Sequence, residues 1–277
     1  MNEFVNSEIC GPVALITINR PERRNALSTP ILNGLGDAID EARYTPTVRA
    51  IVLTGSGRAF CAGMDLKDGA RGGSFLDPEA EHTAVDNTKA IADLFMQIHG
   101  CPKPVIACMN GDAFAGGAGL AMACDLVIAA DSARIGYPEV RRGLVAAIVM
   151  HDLVRLVGDR RARQLLLTGD PISAEEALRW GLVNRVVPLG DCLDVAIALG
   201  HTLAEAGPIA QATTKRQLDE ASNRPHDLRG SAAISAAVRV SDEAIEGIAA
   251  FLEKRAPRWT GLLTGDSAQN SSSDRPE

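Results

Sequence analysis

Three stretches carry the residues most able to do chemistry. Glu139 lies in the run Tyr137-Pro138-Glu139 and is followed by a mostly apolar stretch. A carboxylate moves protons efficiently when an apolar pocket raises its pKa toward neutrality. Ile135, Val140, Leu144, Val145, Ala146, Ala147, Ile148 and Val149 are its apolar neighbours in the chain. The other two stretches are rich in glycine: GRAFCAGMDL at 57–66 and NGDAFAGGAGLAMACD at 110–125. Each follows a predicted strand, and the second leads through glycines into Gly117–Cys124, where a helix can start. Glycine lets backbone approach a ligand closely, and a helix N-terminus presents free N–H groups at its positive end. That arrangement suits an oxygen on which negative charge develops. The same pattern more commonly serves as a plain turn. A dinucleotide loop is a weaker reading, because Ala115–Met122 contains no GxGxxG and no acidic ribose partner follows.

Other reactive residue types have simpler readings. The cysteines at 10, 61, 101, 108, 124 and 192 form no CxxC pair, and Cys61 has no visible base partner. The histidines at 82, 99, 151, 201 and 226 form no HxxxH or HExxH pattern, so no metal site is expected. Ser28 and Ser173 read as helix caps. A formal net charge of −7, with basic pairs only at Arg141-Arg142 and Arg160-Arg161, argues against a nucleic-acid partner. The N-terminal residues lack a secretory pattern, and the longest apolar stretch, Ala113–Ala130, is broken by Asp125. A cytoplasmic protein with no membrane partner is expected.

The elements that must position these residues alternate in period. Short β-rich runs are predicted at Val13–Asn19, Ala50–Thr54, Pro104–Met109, Leu126–Ala130 and Val183–Val187. A helix is predicted from Ser28, with Ile31, Leu32, Leu35, Ile39 and Ala42 on one face. Ser173-Ala-Glu-Glu176 has capping-box form, and Gly181 ends its helix. Alternation of this kind implies an α/β fold. An α/β core is expected over 1–190, a helical region over 191–259, and a disordered tail over 260–277.

Taken together, the motifs resemble the crotonase superfamily, the enoyl-CoA hydratase/isomerase family. They are Asn19-Arg-Pro-Glu22 with Asn25-Ala-Leu27, Phe60-Cys-Ala-Gly-Met-Asp65-Leu66, Asn110-Gly111 with Gly116-Gly117, and Pro138-Glu139. Further matches are the run from Ala174 to Val183 and the run from Ala249 to Arg255. The resemblance covers roughly residues 5–259. It implies a spiral of ββα units with a helical C-terminal region, assembled as a homotrimer or a hexamer. It implies an acyl-CoA thioester substrate, with no cofactor beyond the coenzyme A that the substrate carries. The backbone N–H groups of Met64 and Gly116 would form an oxyanion hole, with Glu139 as acid and base. Ala26, Leu27, Ala62, Asp65, Leu66, Lys67 and Gly117 would contact the substrate or its coenzyme A.

Two departures from the family pattern bear on the reaction. Hydratases of the family use two glutamates, and the first of those positions falls here on Gly119. Glycine transfers no proton. A single carboxylate suffices to remove a proton from C2 of a 3-enoyl thioester and return it at C4, so double-bond isomerisation is the preferred expectation. Hydration, or hydration with cleavage, using Glu139 alone is the alternative; a non-catalytic thioester-binding protein is a third. The second departure is Leu144–Met150, which replaces the glycines usual after the second glutamate and alters the pocket wall.

Overall fold

The computed structural model of the chain describes residues 3–65, 78–142, 144–223 and 242–261. Its first elements are β1 (Val5–Cys10), β2 (Val13–Ile18) and α1 (Thr29–Tyr44). Next come β3 (Ala50–Gly55), β4 (Ala59–Cys61) and α2 (Pro78–His99), then β5 (Val105–Met109), β6 (Asp112–Phe114) and α3 (Gly116–Ala123). There follow β7 (Leu126–Ala130), β8 (Arg134–Gly136), α4 (Met150–Thr168), β9 (Ile172–Ser173), α5 (Ala174–Trp180) and β10 (Arg185–Val187). The chain continues through α6 (Cys192–Ala204), α7 (Pro208–Asn223) and α8 (Asp242–Glu253).

Two sheets result. The larger has the order β1-β2-β3-β5-β7-β10, antiparallel only at its β1–β2 hairpin. The smaller has the order β4-β6-β8-β9, with β4, β6 and β8 parallel. Along the chain three of the long strands of the first sheet turn into short strands of the second. The pairs β3–β4, β5–β6 and β7–β8 make this step, and α2 and α3 complete ββα units. Asn110 pins one such corner: its carbonyl oxygen accepts from the Gly55 N–H at 3.2 Å and its amide donates to Gly57 O at 3.0 Å.

The predicted long strands form, since parallel strands covered on both faces read as unbroken apolar runs. Every residue of β3 and β5 is buried. In α1 the predicted face is inside, with Ile31, Leu32, Leu35, Ile39 and Ala42 all buried. The Ser173 hydroxyl accepts from the Glu176 N–H at 3.2 Å, and Gly181 closes α5 with φ +86°. Ser28 stands at the N-cap of α1, but its side chain makes no capping bond. Helix α6 packs on β2, β3, β5 and β7, so the helices after residue 190 begin with one that covers the main sheet. Gly200 is needed there, since a Cβ would stand 2.7 Å from Val13 Cγ2. Lys215 ties α7 to this body by donating to Asp125 at 2.7 Å and to Ile98 O at 2.9 Å. Most of the predicted tail, 262–277, lies outside the described residues. No helix among the described residues is long and apolar enough to cross a membrane.

Candidate active site

The carboxyl ends of β4, β6 and β8 lie at one end of the small sheet, because the strands are parallel neighbours. The chain leaves β4 toward Met64, β6 toward Gly116 and β8 toward Glu139. Ligands of α/β sheets sit in the crevice beyond such strand ends. Topology therefore delivers the three predicted catalytic residues to a single edge.

Met64 is held by a lone parallel bridge to Leu27. Leu27 N–H donates to Gly63 O at 2.8 Å, and Asp65 N–H donates to Leu27 O at 2.9 Å. In a parallel bridge the residue between those two bonds points its own N–H to the other side. Met64 N–H is thereby left for something other than the sheet. The bridge is braced from below. The Asp65 carboxylate is buried and accepts from the Arg20 guanidinium at 2.7 Å. Buried Asn25 donates to Ser56 O at 2.9 Å and Ala59 O at 2.7 Å, and accepts from Arg20 N–H at 3.0 Å.

Gly116 opens α3, where the first N–H groups have no intrahelical acceptor. Ala115 before it has φ +52° and ψ −128°, a conformation that L-residues avoid at about 1–3 kcal/mol. Two bonds hold it there: Ala115 N–H donates to Gly136 O at 2.8 Å, and Gly119 N–H donates to Ala115 O at 3.0 Å. The strained residue turns the chain sharply from β6 into α3.

Glycine at 63 and 117 brings the two donors together. A Cβ on Gly63, which has φ +90°, would meet Ala115 Cβ and Phe114 O at 2.8 Å and Gly116 N at 3.2 Å. A Cβ on Gly117 would lie 2.2 Å from Cys61 O. Gly116 itself is different. A Cβ there would have ordinary contacts, 3.7 Å to Leu27 Cδ1 and 3.9 Å to Met64 N. Packing therefore requires glycine at 63 and 117, whereas at 116 it does not.

Glu139 sits in a 3-10 turn spanning Pro138–Arg142. Its Oε2 is buried and has no hydrogen-bond partner among the described residues. The neighbouring arginines do not neutralise it by contact. Arg141 pairs with Asp170 and donates to Thr168 O at 2.8 Å, while Arg142 reaches Pro138 O at 3.4 Å. Burial pushes the Glu139 carboxyl above its ordinary value, opposed by its own backbone N–H and by the Arg142 charge. The apolar surroundings differ from expectation. Ile135 and Val149 are buried, but Val140 in the 3-10 turn and Leu144 and Val145 in the irregular segment after it face solvent. Tyr137 supplies the apolar wall instead. It is fully buried, its hydroxyl also lacks a partner among the described residues, and burial followed by the charges of Glu139 and Asp152 raises its pKa.

The position of the family's first glutamate is closed. A Cβ on Gly119 would stand 2.3 Å from Val149 Cγ1 and 2.9 Å from Phe95 Cε2. Apolar side chains occupy the space that an acid would need.

The remaining predicted residues divide. Leu27 lies against Gly116 and is buried. Ala26 and Ala62 are half-buried nearby, their N–H groups donating to Arg23 O at 3.1 Å and Arg24 O at 3.0 Å. Asp65 braces the Met64 turn through Arg20, and Gly117 admits the Cys61 backbone. Leu66 and Lys67 lie outside the described residues. Burial pushes the Cys61 thiol up to about 12, unsuited to a nucleophile. Among the described residues no three His, Cys, Asp or Glu side chains cluster to hold a metal ion. Sequence reasoning gave no role to Ala115 or Phe95, and although it named Val149 and the motif holding Arg20, it did not place Val149 against Gly119 or Arg20 against Asp65, since these roles depend on backbone strain or distant partners.

The Met64 and Gly116 turns and the turn that carries Glu139, whose Oε2 has no hydrogen-bond partner among the described residues, thus meet at one edge of the small sheet. The chain matches the family model described as enoyl-CoA hydratase/isomerase over residues 8–262, and it belongs to that family. It is 44% identical to a putative enoyl-CoA hydratase of Thermus thermophilus over 90% of this chain and 98% of that one. It is 35% identical to the carnitinyl-CoA dehydratase of Proteus mirabilis, over 94% of this chain and all (100%) of that one. Among solved structures, an enoyl-CoA hydratase from Bacillus anthracis superposes with a TM-score of 0.85 at 32% identity, covering 92% and 98% of the two chains. The expected fold, the crotonase spiral, is thus the observed one.

Proposed function

We propose that this acyl-CoA enzyme removes a proton from C2 of an enoyl thioester with Glu139, holds the enolate oxygen on the Met64 and Gly116 N–H groups, and returns the proton at C4. The observation that carries this reading is the combination of a Glu139 Oε2 that is buried without a hydrogen-bond partner among the described residues and an apolar plug at Gly119. Fixed donors stabilise the developing charge without reorganising, and each contributes roughly 10²–10³ in rate. Because one carboxylate takes up and gives back one proton, the isomerisation is redox-neutral and needs no cofactor beyond the substrate's coenzyme A.

The names of the relatives favour a second reading, hydration or dehydration, in which Glu139 alone activates or delivers water. Separate supply of 3-enoyl-CoA and 2-enoyl-CoA distinguishes the two. The isomerase reading expects conjugation of the 3-enoyl thioester with little 3-hydroxyacyl product from the 2-enoyl one. Rapid hydration of the 2-enoyl thioester would overturn it. Coenzyme A binding without turnover would leave only a thioester-binding protein. For assembly, the family resemblance supports a homotrimer or hexamer built through the helices after residue 190, and a monomer on gel filtration would contradict it.

A further inference from the structure

A cavity of about 1000 Å³ opens between α2 and α4. Neither Glu139 nor the two N–H donors line it, but it starts where their surroundings end. The Phe95 ring that abuts Gly119 also forms part of the cavity wall, together with Ala147 and Ile148 just before Val149. Gly119 is one helical turn beyond Gly116. From Phe95 the wall continues one turn along α2, about 6 Å, to His99. The apolar lining then gives way to charge.

His99 Nε2 meets the Asp152 carboxylate at 3.1 Å, and Arg155 reaches the other oxygen of Asp152 at 3.2 Å. The hydrogen bond that His99 donates to Asp152, set against partial burial, favours protonated His99. One carboxylate thus serves two cations, which leaves N–H groups on His99 and Arg155 with nothing further to donate to in that pair. Asp219 also lines the cavity and completes a cluster near neutrality. Ala92, Met96 and Val154 give an alkyl chain end apolar surface in this cavity, but such an end pairs with none of its polar groups, and polar groups left unpaired at a filled site are penalised.

We propose that this cavity receives the far end of the acyl group, and that His99 and Arg155, held by Asp152, select acyl groups bearing an oxygen acceptor there, as a hydroxyl or a carboxylate. This rests on the acyl-thioester reading above and names the substrate class within it.

The test is a panel of enoyl thioesters of one chain length, ending in methyl, hydroxyl, carboxylate or trimethylammonium, assayed with the wild-type protein. The oxygenated substrates are expected to exceed the methyl-ended one by about tenfold or more in kcat/KM, the equivalent of one charge-assisted hydrogen bond. Arg155→Met should bring that ratio down toward one. His99→Phe should do the same, although it also loosens α2 from α4, so the partly exposed Arg155 carries the decision. Equal or better use of the methyl-ended or cationic substrate, or a ratio unmoved in Arg155→Met, overturns the selection. If no thioester in the panel is turned over or exchanges its C2 hydrogen, the acyl-thioester reading itself falls, and the proposal with it.

Discussion

Adjacent glycines in α3 should respond in opposite ways to the same added methyl group. In Gly117→Ala the new Cβ would lie 2.2 Å from Cys61 O, 2.7 Å from Cys61 C and 2.8 Å from Cys61 Cβ, so it would press on a buried strand that cannot swing away. Overpacking of that kind costs about 3 kcal/mol, which in a chain of this size lowers Tm by roughly 6–10 °C. In Gly116→Ala the nearest atoms are 3.7–3.9 Å away, ordinary contact distances. Replacing glycine by alanine in a helix gains about 0.4–1 kcal/mol from the unfolded state, so Tm should stay level or rise slightly. Activity should behave differently. The Gly116→Ala methyl stands 3.9 Å from Met64 N, on the side where an oxygen shared by both donors must sit. A loss of about 10²-fold in kcat/KM is expected, comparable to removing one oxyanion donor. Far-UV circular dichroism melting and steady-state kinetics on both variants measure this. If Gly116→Ala melts as far below wild type as Gly117→Ala, the packing argument is wrong; if it keeps full activity, the oxygen does not bind where the two N–H groups meet.

Three further outcomes follow from the same geometry. Arg142 lowers the Glu139 pKa, so Arg142→Gln should shift the acidic limb of the kcat/KM profile to higher pH; an unmoved or lowered limb would mean that Glu139 is not the titrating base. Asp65→Asn breaks the buried ion pair to Arg20, with an expected loss of roughly 3 kcal/mol by denaturant unfolding, together with slower turnover as the Met64 turn loosens; unchanged stability would remove the bracing role. The third concerns His99 and Asp152. His99 is raised above 6.5 chiefly by its hydrogen bond to Asp152, so its contribution is complete below that value and fades as pH rises through the folded pKa. Asp152 is held below 3.8 because bonds from His99 and Arg155 outweigh its desolvation, so its contribution is complete above that value and fades as pH falls. Stability scans of His99→Gln against wild type should differ most between about pH 4 and 6.5 and converge at higher pH.

What the chain revealed before folding, and what it hid, has physical causes. Ala50–Thr54 and Leu126–Ala130 were legible because strands covered on both faces carry unbroken apolar residues. Ser173 with Glu176 was legible because a capping box is a local motif. The strands Ala59–Cys61, Asp112–Phe114 and Arg134–Gly136 are too short for any period to register, yet they are the strands that collect the site. Met64, Gly116 and Glu139 were proposed through resemblance, and topology explains why such distant segments share an edge. The strain at Ala115 was invisible, since alanine carries no sign of a positive φ. The bond between Arg20 and Asp65 spans 45 residues and was equally hidden. The freedom of Glu139 was not readable from its neighbours either, because it depends on Arg141 choosing Asp170. The solvent exposure of Val140, Leu144 and Val145 shows how an apolar run can mislead when a 3-10 turn and the irregular chain after it run along the surface.

The most direct test of enolate chemistry at this site is the incorporation of solvent deuterium at C2 of an enoyl-CoA, followed by mass spectrometry for the wild-type protein and Glu139→Gln. The account predicts exchange by the wild type and its loss, by about 10³-fold or more, in a folded Glu139→Gln variant. No exchange in the wild type, or exchange undiminished in the variant, would contradict it.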